Sequence, residues 1–582
     1  MYTLGINAAY HDSAACLVRD GVVIAAAEEE RFTRIKHGKR PIPFSAWELP
    51  YAAIDYCLSE ADITLSQVDH VAYGYDPYLL LGRHKGDAAI RLPLEPSAHP
   101  TPAQWESAWD PLFLASLVNA PRHLAGGVPH HLQARFRGVT ADGPYRWHFV
   151  EHHIAHAASA FYASPFDRAA VLTLDGRGER ATTTYSVGSG YGLERIGQVN
   201  YPHSLGLLYE QVTEYLGFLP SSDEYKVMAL ASYGRPTCLD AFSAMIHLRG
   251  EGQYTIEPPR LEERFGPARL RDEPLDQRHY DLARSLQAAL EETTLALVRW
   301  LHATTGEENL CLAGGVALNC VLNARLRDDG PFARIWAQPA AGDAGTALGA
   351  ALWVDAQERL GDGATAALES KRTWRMEHAF LGPAFEDDEI EAFLRWSKLA
   401  YRRLTNIPGE VAGLLAQDKV IGWFQGRMEF GPRALGARSI LASPLHAGMQ
   451  ARLNEIKDRE DFRPVAPVVL EEAAAEWFVG GDVSPFMLFV YDAQPERAER
   501  IPAVRHVDGT ARIQTIRREQ HPLYYDLIRA FADRTGAPIL INTSFNTRSE
   551  PIVCTPRDAV ECFWSSPLDA LVIGPFLLEK QG

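Results

Sequence analysis

Short apolar runs alternate with amphipathic stretches along most of the chain, the pattern of a mixed α/β protein. Tyr2–Asn7 reads as a strand, His11-Asp12-Ser13 as a polar turn and Ala14–Val18 as a second strand. Asp20-Gly21 signals a hairpin into a third strand, Val22–Ala27. Pro50–Ala61 reads as a helix, with Pro50 tolerated in the first turn, and Val68–Tyr73 as a strand. The stretch 76–146 has weak periodicity and much Pro, His and Trp, so it reads as an insertion or lid beside an acceptor site. His123, His130 and His131 within it are expected at the surface, and Trp105 and Trp109 hint at a wide apolar or ring-shaped acceptor.

The pattern sharpens at Val150–Glu179. His152 and His156 lie four apart in a helical stretch and so share a face. The apolar run Ala169–Leu174 ends in an Asp-Gly turn at Asp175. Two imidazoles and a carboxylate from a helix and a strand end suit a divalent metal; for the histidine pair alone, a half-buried helix face is the commoner explanation. Thr182–Val187 reads as another strand. Ser204 and Gly206 precede a helix through Leu216 that Gly217 ends, and the charged trio Asp223, Glu224 and Lys226 opens the next. Tyr280–Ala303 is a long amphipathic helix. It leads to a strand, a Gly314-Gly315 turn and a helix carrying Asn319, a layout that lets a ligand approach backbone and helix N-terminus. Gln338–Leu352 repeats the layout with Asp343 before a small-residue helix, either a fourth metal ligand or an N-cap.

Val354–Met376 turns small, polar and aperiodic, which reads as a linker, with a second unit from Glu377. There the strand Val420–Phe424 opens a loop in which Arg427, Arg433 and Arg438 are interleaved with glycines. Lys457, Arg459 and Arg463 follow, then Arg512, and finally Ser544 and Asn546 at the end of an apolar strand. Guanidinium groups in loops after strands suit a polyanionic small ligand such as a nucleoside triphosphate.

Composition narrows the field. A net charge of −17 argues against a broad nucleic-acid surface. The seven cysteines form no CxxC pair, which fits a reducing, cytoplasmic setting. No stretch reaches the run of roughly 18 apolar residues that spans a membrane, and the N-terminal sequence has no signal-peptide pattern. The charge run Glu28–Pro43 reads as a solvated face, or as a basic loop gating an anionic ligand. The opening strand–turn–strand fits an ordinary hairpin or the start of an actin-like ATPase domain.

Taken together, the N-terminal stretch through Ile35-Lys36-His37, the HHIAH helix with LDGRGE, DEYKVMALASYG, AGGVALN, GDAGTALGAAL, QGRMEFGPRALGARSIL and NTSFN resemble the NodU/CmcH family of O-carbamoyltransferases. The resemblance implies an α/β chain of two domains. Residues 1–360 would be a TsaD-like domain of the actin-like ATPase superfamily, made of two RNase H-like halves. Residues 377–582 would be an α+β YrdC-like domain. It implies that carbamoyl phosphate and ATP with Mg2+ give carbamoyl-adenylate in the second domain, and that the first transfers the carbamoyl group to a small-molecule hydroxyl of antibiotic or other secondary-metabolite type. The family motifs map the metal, generally ferrous iron, to His152, His156, Asp175 and Asp343. Lys457 and Arg459 match the YrdC-type KxR motif, and Ser544 and Asn546 the SxN motif. Ser204, Gly206, Gly314, Gly315 and Asn319 would contact the adenylate. His11 and Glu224 are the candidates for general base, with Lys226 pairing with phosphate or orienting Glu224. A homodimer is expected from the resemblance. A zincin is disfavoured because Glu151 precedes His152 rather than following it. An actin-like small-molecule kinase and a nucleotide-sensing, non-enzymatic protein are the remaining alternatives.

Overall fold

The computed structural model describes residues 1–38, 49–81, 110–126, 144–361, 371–547 and 550–580. Trp105, Trp109, His130 and His131 lie outside them. Two compact units result, and they do not follow chain order. The first comprises Met1–Ser204, Asn309–Gly315 and Ala340–Arg375. Leu205–Glu308 and Val316–Pro339 group instead with Met376–Gly582.

The first unit holds two sheets. Strands β1 (Tyr2–Asn7), β2 (Ala14–Arg19) and β3 (Val22–Glu28) form an antiparallel meander. β4 (His70–Tyr73) pairs parallel to β1, and β5 (Arg146–Phe149) parallel to β4, giving the order β3-β2-β1-β4-β5. The second sheet repeats the scheme. β6 (Arg168–Leu174), β7 (Ala181–Ser189) and β8 (Gly192–Asn200) are antiparallel, and β9 (Asn309–Ala313) joins β6 in parallel. A meander extended on its first strand by a parallel neighbour, made twice, is the arrangement expected of paired RNase H-like halves.

Small residues set how closely the helices of this unit sit. A Cβ on Gly5 of β1 would lie 1.9 Å from Ala347 O, and one on Gly349 would lie 1.8 Å from Ala155 O. The helix Ala344–Leu360 therefore rests backbone-to-backbone on β1 and on the helix His152–Phe161. The helix runs to Leu360 and buries Val354, Asp355 and Ala356, which corrects the linker expected from Val354 onward. The expected helix Tyr280–Ala303 is longer as well, Gln277–Thr305, because Asp276 and His279 form a reciprocal capping box.

Two further expectations change. The insertion contributes the helices Asp110–Val118 and Ala120–Gly126, and Phe113, Leu114, Leu117 and Leu124 pack into the core of the first sheet. In the charge run, Glu28, Glu30 and Arg31 are buried, with Arg31 bonded to Glu30 at 2.6 Å and to Glu28 at 3.0 Å. Those three are a paired internal cluster rather than a solvated face.

In the second unit an eight-stranded mixed sheet runs in the order Arg402–Arg403, Phe576–Glu579, Ala570–Ile573, Ile421–Phe424, Arg438–Ala442, Ile539–Ser544, Ala466–Leu470, Gln514–Ile516. The helices Ile407–Leu415 and Pro522–Thr535 cover one face through Val411, Leu415, Tyr524, Leu527 and Phe531. Phe424, Ile440, Val469, Ile541 and Phe545 face a second core on the other side. Asn323 donates to Leu488 O at 3.0 Å, and Arg327 stacks 4.0 Å from the Tyr491 ring, tying residues 316–339 to this half. Among the described residues no helix is long and apolar enough to cross a membrane.

Candidate active site

The first unit brings the four expected metal ligands together. His152 and His156 sit one turn apart and bury their rings completely, with Nε2 atoms 3.2 Å apart. His152 Nε2 lies 3.6 Å from Asp175 Oδ2 and 3.5 Å from Asp343 Oδ1. His156 Nε2 lies 3.9 and 3.6 Å from the same two atoms. Ligands about 2.1 Å from a tetrahedral ion stand about 3.4 Å from one another, so these spacings fit a divalent metal without rearrangement.

The surroundings aim the ligands inward. His152 Nδ1 lies 3.0 Å from Gly74 O; donating there leaves the lone pair of Nε2 facing the cluster. Asp175 Oδ1 accepts the Gly315 N–H at 2.8 Å, which turns Oδ2 toward the histidines. Gly314 makes that bond possible: it has φ +86°, and a Cβ there would meet Leu174 O at 2.1 Å. Asp343 occupies the N-cap position of its helix, yet its side chain caps nothing and its Oδ2 is buried with no hydrogen-bond partner. The N-cap alternative therefore gives way to the ligand geometry.

Electrostatics couple the four groups. Burial opposes charge on His152, but Asp343 and Asp175 outweigh it and hold the imidazole well above its ordinary range. Burial likewise opposes charge on both carboxylates, while His152 and His156 pull Asp175 down, and His11, then His152 and His156, pull Asp343 down. His153 points elsewhere, with Nδ1 3.3 Å from Thr184 Oγ1, and burial lowers its pKa.

His11 stands beside this centre. Its Nε2 is 3.9 Å from Asp343 Oδ2, and its Nδ1 is 2.9 Å from Asp12 Oδ2. Asp12 Oδ1 in turn meets His37 Nδ1 at 2.7 Å. An imidazole held on one nitrogen by a carboxylate and presenting the other is the layout of an oriented general base.

The remaining expected residues divide. Ser204 donates its hydroxyl to Asp175 O at 3.1 Å and to Gly176 O at 2.7 Å, so it fastens the turn that carries Asp175. Asn319 is the N-cap of the helix Cys320–Asp329, accepting from Leu322 N at 2.9 Å, with Gln287 on its other side. Gly206 lies in the first turn of the helix Leu205–Tyr215. Glu224 accepts the Ser221 N–H at 2.7 Å. Lys226 bonds Glu460 at 2.9 Å and Asp223 at 3.1 Å, so within the second unit it serves carboxylates.

In the second unit the KxR and SxN motifs meet. Lys457, buried, donates to Asn546 Oδ1 at 2.7 Å, to Asn546 O at 2.8 Å and to Ser544 Oγ at 3.3 Å. Arg433, Arg459, Arg463 and Arg512 form a cationic cluster nearby one another. Burial and then Arg512 push Arg433 down to about 9, and burial, Arg463 and Arg512 do the same to Arg459. The Nε atoms of Arg433 and Arg512 are buried with no hydrogen-bond partner. Such a cluster is stable beside a polyanion. Arg438 and Arg427 differ from expectation. Arg438 is fully buried, donates to the carbonyls of Gln425, Gly426, Pro383 and Cys554, and stacks 3.6 Å from the Phe424 ring. Arg427 donates to Leu381 O at 2.8 Å and to Gly382 O at 3.3 Å. Both hold loops together.

Comparison with known proteins gives the family. The model for the carbamoyltransferase N-terminus matches residues 2–79 and 141–352, and that for the carbamoyltransferase C-terminus matches 412–580. This chain belongs to the carbamoyltransferase family. An uncharacterised protein of Synechocystis is 41% identical over all of this chain and 97% of its own length. Nodulation protein NolNO of Sinorhizobium fredii is 40% identical over 99% of this chain and 80% of its own. Nodulation protein NolO of Bradyrhizobium diazoefficiens is 42% identical over 74% of this chain and 79% of its own. The structure of full-length HypF in its phosphate- and nucleotide-bound form overlaps 62% of this chain and 56% of that one, at 14% identity and a TM-score of 0.35.

The carbamoyltransferase is thus a transferase enzyme, and the candidate site includes residues that sequence spacing did not single out. Glu179 is one. Buried, it accepts the His152 N–H at 3.0 Å and the Asp76 N–H at 2.6 Å, capping the ligand helix that its own N-cap residue Glu151 leaves uncapped. Burial pushes Glu179 up to about 7. Its place in LDGRGE, four residues after Asp175, was the available signal. Tyr10, Tyr75 and Phe113 form the other feature missed: Tyr10 stacks on Phe113 at 5.5 Å and meets the His152 ring edge at 5.6 Å. Phe113 comes from the segment between the two stretches matched by the N-terminal family model.

Proposed function

We propose that this carbamoyltransferase makes O-carbamates in two steps. In the second unit, read as YrdC-like, water cleaves carbamoyl phosphate to carbamate and inorganic phosphate; a carbamate oxygen then attacks the α-phosphorus of ATP held with Mg2+, and pyrophosphate leaves. Lys457, Arg433, Arg459, Arg463 and Arg512 hold and neutralise the phosphates, with Ser544 and Asn546 fixing Lys457. In the first unit the acceptor hydroxyl attacks the carbamoyl carbon of carbamoyl-adenylate, and AMP leaves.

His152, His156, Asp175 and Asp343 would hold a divalent metal, ferrous iron on this reading, which when bound would supply Lewis acidity toward the departing phosphate. The chain's own groups do the rest. Asp12 fixes His11, which takes the hydroxyl proton at Nε2. His11 is favoured over Glu224 because Glu224 is engaged by the Ser221 N–H. Gly315 and Gly74 keep the ligands aimed. The acceptor is a hydroxylated small molecule of secondary-metabolite type. The observation that carries the reading is the convergence of two imidazoles and two carboxylates at metal-ligand spacing in a chain of this family.

The test separates the half-reactions. His156→Ala should lower carbamoyl transfer about 10³-fold, the loss of roughly 4 kcal/mol of transition-state stabilisation. Carbamoyl-phosphate-dependent ATP–pyrophosphate exchange should stay within about twofold of the wild type. If both half-reactions fail in a folded variant, the two-site reading is wrong. Release of ADP instead of AMP and pyrophosphate would make the chain a kinase. Mass spectrometry over a panel of hydroxylated metabolites identifies the acceptor.

A further inference from the structure

The first unit carries a second cluster of metal-ligating side chains that this chemistry does not use. His70 on β4 and His148 on β5 are diagonal neighbours on one face of the first sheet, since Ala72 is the register partner of His148. Their facing nitrogens, His70 Nδ1 and His148 Nε2, are 3.0 Å apart. Glu358, near the end of the helix Ala344–Leu360, places Oε1 3.9 Å from His148 Nε2. Arg146, the strand neighbour opposite His70, holds the other oxygen, Oε2, at 2.9 Å and so turns Oε1 toward the imidazoles. His70 is 8% exposed. All three ligand atoms lie within 4.8 Å of one another.

Two ring nitrogens at that separation share either a proton or a cation. A carboxylate oxygen directed at them, itself positioned by an arginine, supplies an anionic ligand and an outer-shell partner. We propose that His70, His148 and Glu358 form a second divalent-metal site, of the two-histidine, one-carboxylate type that Zn2+ occupies with water completing its shell. The helix Ala344–Leu360 links the two centres, with Asp343 at its start and Glu358 fifteen residues later, roughly 22 Å along its axis. At that distance the second metal takes no part in the carbamoyl transfer. It ties the edge strand β5, its neighbour β4 and the end of the helix whose start presents Asp343.

Counting bound metal tests the proposal on the full chain. Protein stripped by chelator is dialysed against Zn2+ alone, and metal per chain is measured by mass spectrometry. The wild type should bind two equivalents. His148→Asn and His156→Ala should each bind one, and the double variant none. Glu358→Gln, an isosteric change at a partly exposed position, should weaken the second equivalent tenfold or more. Zn2+ should raise the melting temperature of His156→Ala but not of the double variant. Equal stoichiometry in His148→Asn and the wild type overturns the proposal, and two histidines sharing a proton then explain the cluster. A single wild-type equivalent lost in His156→Ala also overturns it. A single equivalent lost in His148→Asn instead sustains this site and counts against the first.

Discussion

Arg438 distinguishes a side chain that builds the second unit from one that would touch the proposed nucleotide. Its sequence context, a glycine-interleaved arginine loop, suggests phosphate. The structure buries it completely and gives its guanidinium to backbone carbonyls, at 3.1 Å for Gln425 and Gly426 and 3.0 Å for Pro383. Replacing it by Met keeps the length and the contact with Phe424 but strands those carbonyls. An unsatisfied buried acceptor costs about 1 kcal/mol or more, and removing one partner from a buried charged network costs about 3–5 kcal/mol. Part of this is offset because Met has no charge to bury, which leaves a net loss of about 3 kcal/mol. Arg438→Met should therefore lower the urea midpoint of the C-terminal transition clearly. Below that midpoint it should bind ATP within about twofold of the wild type by calorimetry. An unchanged midpoint with ATP binding weakened tenfold, or 1.4 kcal/mol, would refute the structural role and return Arg438 to the phosphates.

Arg512→Gln should do the reverse: ATP affinity falls at least tenfold by calorimetry, while thermal stability stays equal or rises slightly as repulsion within the arginine cluster is relieved. Gly349→Ala should cost about 1–3 kcal/mol, because its Cβ would lie 1.8 Å from Ala155 O. It should also reduce bound metal by parting Asp343 from the histidines; normal metal content with lowered stability would show that the ligands tolerate the shift. His521 makes stability depend on pH. Burial lowers it to about 4, below its ordinary value, so between about 6.5 and 4 the unfolded chain binds a proton that the folded chain does not. Its contribution is complete above about 6.5 and is lost as pH falls toward 4, at up to about 1.4 kcal/mol per unit. His521→Asn keeps an acceptor for the Tyr524 N–H and should flatten that part of a urea-midpoint profile; an unaltered profile would assign the dependence to other groups.

The sequence by itself determined the local elements and singled out the residues that could bear a metal. Apolar runs of strand length and amphipathic runs of helix length are properties of a few consecutive residues, so the opening meander and the long helix before β9 were legible, with ends displaced by caps such as Asp276. The HxxxH pair was legible because helical period alone puts positions four apart on one face. Only the tertiary structure decided which charged groups converge and which hold the backbone. Asp175 and Asp343 are far from His152 in the chain and meet it because glycines and alanines let backbones approach closely, a contact that carries no local signal of its partner. Arg438 and Arg433 belong to one loop and share one local pattern. Burial among carbonyls makes the first a strut, and clustering with other cations leaves the second short of an anion. Ser204 and Asn319 read as ligand contacts because hydroxyl and amide groups suit either task; in the fold Ser204 bonds the carbonyls of the Asp175 turn and Asn319 caps a helix beside Gln287. Whether a polar group faces a ligand or its own chain depends on what long-range packing places beside it, and periodicity cannot encode that.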